Sequence, residues 1–549
     1  MWCLQFNTRS FAAPSKICRS SQKNNEIKCA SKPKESYDVI VIGSGIGGLS
    51  ASSLLATAGH DTLVCESHSV IGGAAHSFSR KGYHFESGPS LYSGMRSKGP
   101  GANPLSLVLD AIGETLDIVE YDVWNVYLPE VPGGFPAKVG PEGFDELLKK
   151  CGGPKVLQEW RNLQQTVGPL SKAATSVPPL AIRLDPWVIS SAIMRYFPSF
   201  ISSLTSLSTL TKPFSHVLEK ASVTDPFLKN YMDLLCFLLS GLPADGTITA
   251  EVAFMLKEWC DPEAKLEFPK GGSQAVADAL ARGVEKNGGT ILTNAHVEEI
   301  LVENGKAIGV RVRKNGGTKN IYASVGVISN ASTLDTANLL PKTIQDQWKP
   351  SASEVPINPS FMHLHLGFDA SGLQNLDMHH LVVDDWERGV DAEQNVVLIS
   401  IASVADPSLA PQGKHCLHAY YPATEPWDIY QDLSQDQYKK MKEIRSQALW
   451  KAVERVIPDI RNRVEFQLIG SPLTHARYLM RYHGSYGAAW KAGKEKFPFG
   501  TSPLENMYCC GDFVFPGIGL PAVAASGAIA ANSLVTLDKH ITILDSIGL

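Results

Sequence analysis

No apolar run in the 549-residue sequence approaches about 18 residues, so no membrane-spanning helix is expected. There is no basic excess either. Lys and Arg number 50 against 55 Asp and Glu, a net charge of -5, which argues against a nucleic-acid partner. The ten cysteines include no CxxC and no other metal-type spacing. Only Cys509 and Cys510 adjoin, and neighbours in a strand point to opposite faces, so free thiols in a reducing compartment are expected. No Ser/His/Asp array of a hydrolytic kind stands out. What remains is an ordinary globular composition, 44% hydrophobic and 19% charged, in a chain long enough for two domains.

The first 33 residues are of another character. They carry Arg9, Lys16, Arg19, Lys23, Lys28 and Lys32 against one acid, Glu26, are rich in Ser, and lack an apolar core. That is transit-peptide composition, not a secretory signal. IKCA at Ile27–Ala30 resembles a plastid processing site with cleavage after Cys29. A mitochondrial presequence and a disordered basic tail are the competing readings. The expected location is the plastid, in the stroma or peripheral on a plastid membrane.

Beyond that tail, YDVIVIG (Tyr37–Gly43) reads as a buried parallel strand, GLSASSLLATAG as a helix stopped by Gly59, and DTLVCE (Asp61–Glu66) as a second strand ending on an acid. The intervening GSGIGG supplies Gly43 for a tight turn and Gly45 for close approach of a pyrophosphate. Gly48 lets helix and strand pack closely. The helix N-terminus offers unpaired N–H groups to the phosphates, and Glu66 is placed to bond ribose hydroxyls. Dinucleotide binding follows; the fingerprint alone does not choose between NAD and FAD.

FPKGGSQAVADALARGVEKNGG (Phe268–Gly289) reads as a helix capped by Ser273, with Val276, Leu280 and Val284 on one face and Gly288 at its end. Strand-like runs TILT, HVEEILVE, KAIGVRVR, KNIYAS and VGVISN follow, with hairpin turns at Asn304-Gly305 and Asn315-Gly316. Near the C-terminus, MYCCGD (Met507–Asp512) reads as a last strand of the nucleotide domain. PAVAASGAIAANSL reads as a helix of small residues, with FPGIG between them. The N–H groups around Ile518–Ala522 are placed to face negative charge on a planar ring.

These motifs carry a resemblance. The glycine pair of SVIGGAAHSF beyond Glu66, the HFESGPSLYSG segment and the string GDFVFPGIGLPAVAASG resemble FAD proteins of the amine oxidase and phytoene desaturase group. The chain is most similar to the carotenoid isomerase (prolycopene isomerase)-like branch of plant plastids, with retinol saturases as relatives. The resemblance spans residues 37–535 and is weakest between 150 and 260.

It implies an α/β, FAD-binding Rossmann-type domain built from 34–104, 261–345 and 500–540. A discontinuous α+β substrate domain would take up 105–260 and 346–499. It implies FAD held by Gly43, Gly45, Gly48, Glu66, Ser67, Gly73, Ala74, Val297, Gly511, Asp512, Ile518 and Gly519, with the Val297 backbone at adenine and Asp512 at ribityl or phosphate-linked hydroxyls. The implied activity is flavin-dependent cis-trans isomerisation of a long apolar isoprenoid or carotenoid. A desaturase or saturase is the alternative within enzymes, with its electron donor or acceptor unknown. A prenyl-chain carrier of the GDP-dissociation-inhibitor type is the alternative of another class. No catalytic side chain is assigned.

Within the substrate region, SFMHLHLGFD (Ser360–Asp369) alternates cleanly. Met362, Leu364, Leu366 and Phe368 face one way, His363 and His365 the other. No third ligand is spaced nearby, so a metal is not expected. These two histidines, His475 and His483 are candidates for placement near the flavin ring, with the ordinary hydrogen-bonded residue as the preferred reading of each. SQDQYKKMKEIRSQALWKAVERVI reads as one helix with a Ser434/Gln437 capping box and a buried stripe of Met441, Ile444, Ala448, Ala452 and Val456. Trp187–Leu207 and Phe227–Pro243 are bulky and poor in charge, fit for core, for a tunnel or for peripheral membrane contact.

Overall fold

The structure, a computed structural model, describes residues 33–549 apart from Pro89. The expected transit segment lies outside the described residues except for Pro33.

Ser36–Ile42 (β1), Ile46–Thr57 (α1) and Thr62–Cys65 (β2) form the expected unit, with β1 and β2 parallel. Gly43 leaves β1 at φ +90°, a conformation open to glycine and strained for other residues. The helix Ser273–Lys286 (α2) leads into Thr290–Leu292 (β3), His296–Glu303 (β4), Lys306–Lys314 (β5) and Gly317–Ser329 (β6). Both Asn-Gly turns have positive φ at each residue, 50° and 77° at Asn304-Gly305, 52° and 78° at Asn315-Gly316. Two details differ from expectation. The cap of α2 is Gly272, and Ser273 is its first residue, whose hydroxyl accepts from Tyr92 Oη at 2.7 Å. The runs KNIYAS and VGVISN are one strand, because β6 does two jobs: its first half pairs antiparallel with β5, its second half parallel with β1.

The sheet order is β3-β2-β1-β6-β5-β4, and Met507–Cys509 adds on the free side of β6. Leu520–Leu534 (α3) then lies across α1. A Cβ at Gly527 would stand 2.1 Å from the Gly47 carbonyl oxygen, so the two helices touch backbone to backbone. The core beneath them also takes in Leu105, Val108, Ile112, Leu180 and Ala192, residues from a stretch that the sequence alone assigns wholly to the second domain.

The second sheet contains Ser360–Asp369 (β7), Lys414–Glu425 (β8) and Val464–Gly470 (β9). Its order is β9-β7-β8, then Val396–Ser400, His379–Val383, Val123–Leu128 and Val131–Lys138. Strands from both insertions therefore share one sheet. The expected helix over 434–457 is two helices, Gln435–Arg445 and Gln447–Val456. The Ser434/Gln437 capping box is present. The buried stripe is only partly where expected: Ala452 is buried and Met441, Ala448 and Val456 are half-buried, but Ile444 is exposed, and Leu449, Trp450 and Val453 are buried as well. At the break, Arg445 reaches inward to the buried carboxylate of Glu425 at 2.8 Å, and its carbonyl accepts from the Tyr421 hydroxyl.

Among the described residues no helix is long and apolar enough to cross a membrane, and the seven described cysteines are unpaired.

Candidate active site

The two sheets enclose a cavity of about 1170 Å³. Gly43, Gly45, Glu66, Ser67, Gly73, Ala74, Val297, Gly511, Asp512, Ile518 and Gly519 all line it, though they come from three separated parts of the chain. Gly48 alone of the expected set does not. A Cβ there would meet the Gly43 carbonyl oxygen at 2.2 Å, so it serves the packing of α1 against β1, the role its position in the fingerprint calls for.

The nucleotide end is built from backbone. α1 begins after Gly45 with no side-chain cap, so its first N–H groups open on the cavity. α3 begins after Gly519 in the same uncapped way and lines the same space, its first turn packed on that of α1: a Cβ at Gly47 would lie 3.0 Å from the Val523 carbonyl oxygen. The loops at Gly45 and Gly73 are drawn tight by missing side chains. A Cβ at Gly73 would lie 2.9 Å from Gly45 Cα, and one at Gly45 would lie 2.6 Å from Asn330 Nδ2. Glu66 accepts from Ser44 N at 2.9 Å and Ser44 Oγ at 2.6 Å, and its other oxygen from His68 N at 2.6 Å. Its carboxylate thus fixes the glycine loop to the end of β2 and still faces the cavity.

Two residues that the sequence did not single out complete this end. Asn330, at the end of β6, lies under Gly43, Gly45, Gly47 and Gly511, and lines the cavity. Arg481 forms an ion pair with Asp512, the expected ribityl partner, and its guanidinium sits 5.4 Å from the Phe513 ring centroid. Nothing in the local sequence marks Arg481. Asn330 closes the VISNAS run, where a strand end beside a glycine loop is the available signal.

These features fit FAD. Two uncapped helix N-termini and a cradle that a Cβ would fill suit an extended dianion joined to a flat ring.

Leu235, Leu238, Leu239, Phe361, Leu398 and Tyr486 give the cavity an apolar and aromatic stretch of wall, and charged residues such as Glu258 and Glu267 line it elsewhere. His363 and His475 face it as well. His363 and His365 sit on one face of β7, opposite Tyr420 and His418 of β8. Burial pushes His475 down to about 3 and His365 to about 4, and holds His363 and His418 well below the usual imidazole range. All four are neutral at physiological pH.

The third imidazole missing from the local sequence thus arrives from another strand: nitrogens of His363, His365 and His418 lie within 4.8 Å of one another. Their geometry is that of a hydrogen-bonded stack. His363 Nδ1 and His418 Nε2 are 2.7 Å apart, closer than the roughly 3.3 Å that two nitrogens keep on one tetrahedral zinc. The rings of His365 and His418 lie parallel within 5°, so their lone pairs do not converge. His483 is elsewhere, stacked between Tyr482 and Trp427.

Comparison with known proteins agrees with this geometry. The model of the flavin containing amine oxidoreductase family matches residues 46–535. The chain belongs to that family. Within the flavin amine oxidoreductases it is 31% identical to the chloroplastic prolycopene isomerase of Daucus carota, over 93% of this chain and 82% of that one. It is 28% identical to the all-trans-retinol 13,14-reductase of Danio rerio, over 93% and 88%. Among solved structures, an oxidoreductase from Methanosarcina mazei superposes with a TM-score of 0.58 at 22% identity, covering 89% of this chain and 98% of that one. Putrescine oxidase superposes at 0.55 and 15%, covering 91% and 99%. This family member is therefore an FAD enzyme of the carotenoid isomerase-like group, and the carrier alternative gives way.

Proposed function

We propose that this chain is a plastid enzyme that uses bound FAD to isomerise a cis double bond in a long apolar polyene. One observation carries the reading: the glycine cradle, Asp512 and the open end of α3 face the same cavity as the apolar wall of the second sheet. The chloroplastic prolycopene isomerase relative and the basic, serine-rich residues 1–33 support both the chemistry and the location.

Bound FAD in its reduced form supplies electron density that lowers the bond order of a conjugated double bond. The chain's own residues do the rest. Gly43, Gly45 and the α1 N-terminus hold phosphate, Glu66 stands at the ribose end, and the N–H groups at the start of α3 stabilise negative charge in the cavity. Leu235, Leu238, Leu239 and Phe361 orient the polyene and exclude water. The test is incubation of FAD-loaded protein with a cis polyene, without oxygen and with dithionite. A change of polyene isomer without consumption of reductant is expected. Recovery of the polyene unchanged under both reducing and oxidising conditions would refute the reading.

The retinol reductase relative favours a second reading, net saturation of a double bond. It predicts one equivalent of reductant consumed per polyene converted.

A polyene of this kind arrives from lipid, and one surface suits that route. Trp187, Ile189, Met194, Phe197, Ile201, Leu204 and Leu207 are each between 39% and 64% exposed, on a single stretch. No acid occurs between Asp185 and Glu219. Such a ridge of large apolar side chains is what lies in a lipid interface. Co-sedimentation with phosphatidylcholine vesicles is expected for the native chain and at least tenfold weaker for Ile201→Glu/Leu204→Glu, with flavin absorbance unchanged. Equal sedimentation of the two would remove the ridge from the account.

A further inference from the structure

His418, His363 and His475 form a chain of imidazoles whose direction can be worked out. His418 Nε2 lies 2.7 Å from His363 Nδ1, and His363 Nε2 lies 2.5 Å from His475 Nε2. A neutral imidazole has one N–H and one lone pair, so one choice at either end fixes all three tautomers. The far end supplies that choice. His418 Nδ1 is sealed in the protein with no partner. A sealed N–H without an acceptor is rarer and costlier than a sealed lone pair. His418 therefore carries its proton on Nε2 and donates to His363 Nδ1. His363 carries its own on Nε2 and donates to His475 Nε2. His475 is left protonated on Nδ1.

That last N–H has no protein acceptor. His475 Nδ1 is absent from the hydrogen bonds of the described residues, and it is not sealed as His418 Nδ1 is. The ring lines the cavity and is held flat against Phe361, which stacks on His475 at 5.2 Å and on His363 at 5.3 Å. Tyr420 and Tyr486 belong to the same wall, and the Tyr486 hydroxyl already donates to the Leu238 carbonyl at 3.5 Å. An all-hydrocarbon ligand would cover the His475 N–H and leave it unsatisfied, at a cost to binding.

We infer that this wall is an oxygen-binding subsite, in which His475 Nδ1–H donates to an oxygen at one end of an otherwise apolar polyene. The preferred substrate is then an oxygenated isoprenoid, with a hydroxyl or carbonyl end group, and not a pure hydrocarbon. This rests on the polyene reading above and narrows it. His475 is the contacting residue; His363 and His418 position it by fixing its tautomer.

The test uses the FAD-loaded full chain and two polyenes of equal length, a hydrocarbon and its terminal alcohol, offered in detergent micelles. Affinity is read from perturbation of the flavin absorbance. The native chain is expected to prefer the alcohol at least tenfold. His475→Phe should reduce the preference to within twofold while keeping hydrocarbon affinity. His475→Asn, whose amide also donates, should restore part of it. Nitrogen-15 histidine spectra should show His475 as the Nδ1–H tautomer, shifting on addition of the alcohol. In His418→Leu that signature should become a mixture.

Equal affinities in the native chain, a preference that survives His475→Phe, or a His475 shift produced by FAD alone would each overturn the inference, the last assigning the donor to the cofactor. Preference for the alcohol without turnover of either polyene would sink the isomerase reading and leave this one standing. Turnover of the hydrocarbon with no preference would do the reverse.

Discussion

Gly527→Val is expected to give a protein with no flavin absorbance, destabilised by more than about 4 kcal/mol. The cause is the contact between α1 and α3. The first added carbon would stand 2.1 Å from the Gly47 carbonyl oxygen and 3.1 Å from the Ala51 nitrogen. Both are backbone atoms of a helix, so neither can swing aside as a long side chain would. Relief requires the helices to separate, and their adjacent first turns both line the nucleotide end of the cavity. Stability and cofactor retention should fail together. Gly168 is the control. It also lies within a helix, Val156–Ala174, but a Cβ there meets nothing within 4 Å beyond its own chain neighbours. Gly168→Ala should change stability by no more than about 1 kcal/mol, the gain in helix propensity being offset by crowding of the new Cβ against the following Pro169, and should leave the flavin absorbance intact. Thermal unfolding and the flavin absorbance of the purified proteins check both outcomes.

Acid is expected to unfold this protein well above the pH at which carboxylates titrate. Burial pushes His379 and His475 down to about 3, and His365, His380 and His540 to about 4. The unfolded chain binds a proton at each near pH 6.5, and the folded chain resists it. Stability is therefore complete above about pH 6.5 and falls as pH drops toward 4 and 3. At pH 5 each such group costs on the order of 2 kcal/mol. Five of them together cost about as much as a whole domain is worth. Urea unfolding between pH 7.5 and 5 measures the slope, and a flat profile would contradict the burial of these rings. His379 carries a particular share, because its two nitrogens are already committed to Ser400 Oγ at 2.9 Å and the Ser90 carbonyl at 3.1 Å.

The cofactor end of this site was largely legible in the sequence because its constraints are local. A strand end, a turn at Gly43 and a helix start lie within a few residues, and each demands glycine for a reason that acts at that residue. The same holds for the two Asn-Gly turns, where the left-handed backbone itself selects the residue types. The substrate end was not legible in the same way. His363 and His365 are visible as an alternating pair, but His418 reaches them only because β8 pairs with β7 in a particular register. Arg481 meets Asp512 across a loop whose path no spacing predicts. The helix over 434–457 shows the opposite failure. Its capping box and the buried Ala452 follow the local pattern, but the helix is interrupted at Ser446, beside the pairing of Arg445 with the buried Glu425, and Leu449, Trp450 and Val453 are buried while Ile444 is exposed.

β6 has a consequence for how the holoenzyme is made. Its later half is flanked on one side by β1, near the start of the described chain, and on the other by Met507–Cys509, close to the end. A polypeptide still emerging from the ribosome, or still threading through a translocation pore, has the phosphate turn but neither that last strand nor α3. Such long-range closure is slow and comes late. The coenzyme must therefore be acquired after release, by a nearly finished fold, and any truncation before residue 507 should leave a chain that never turns yellow.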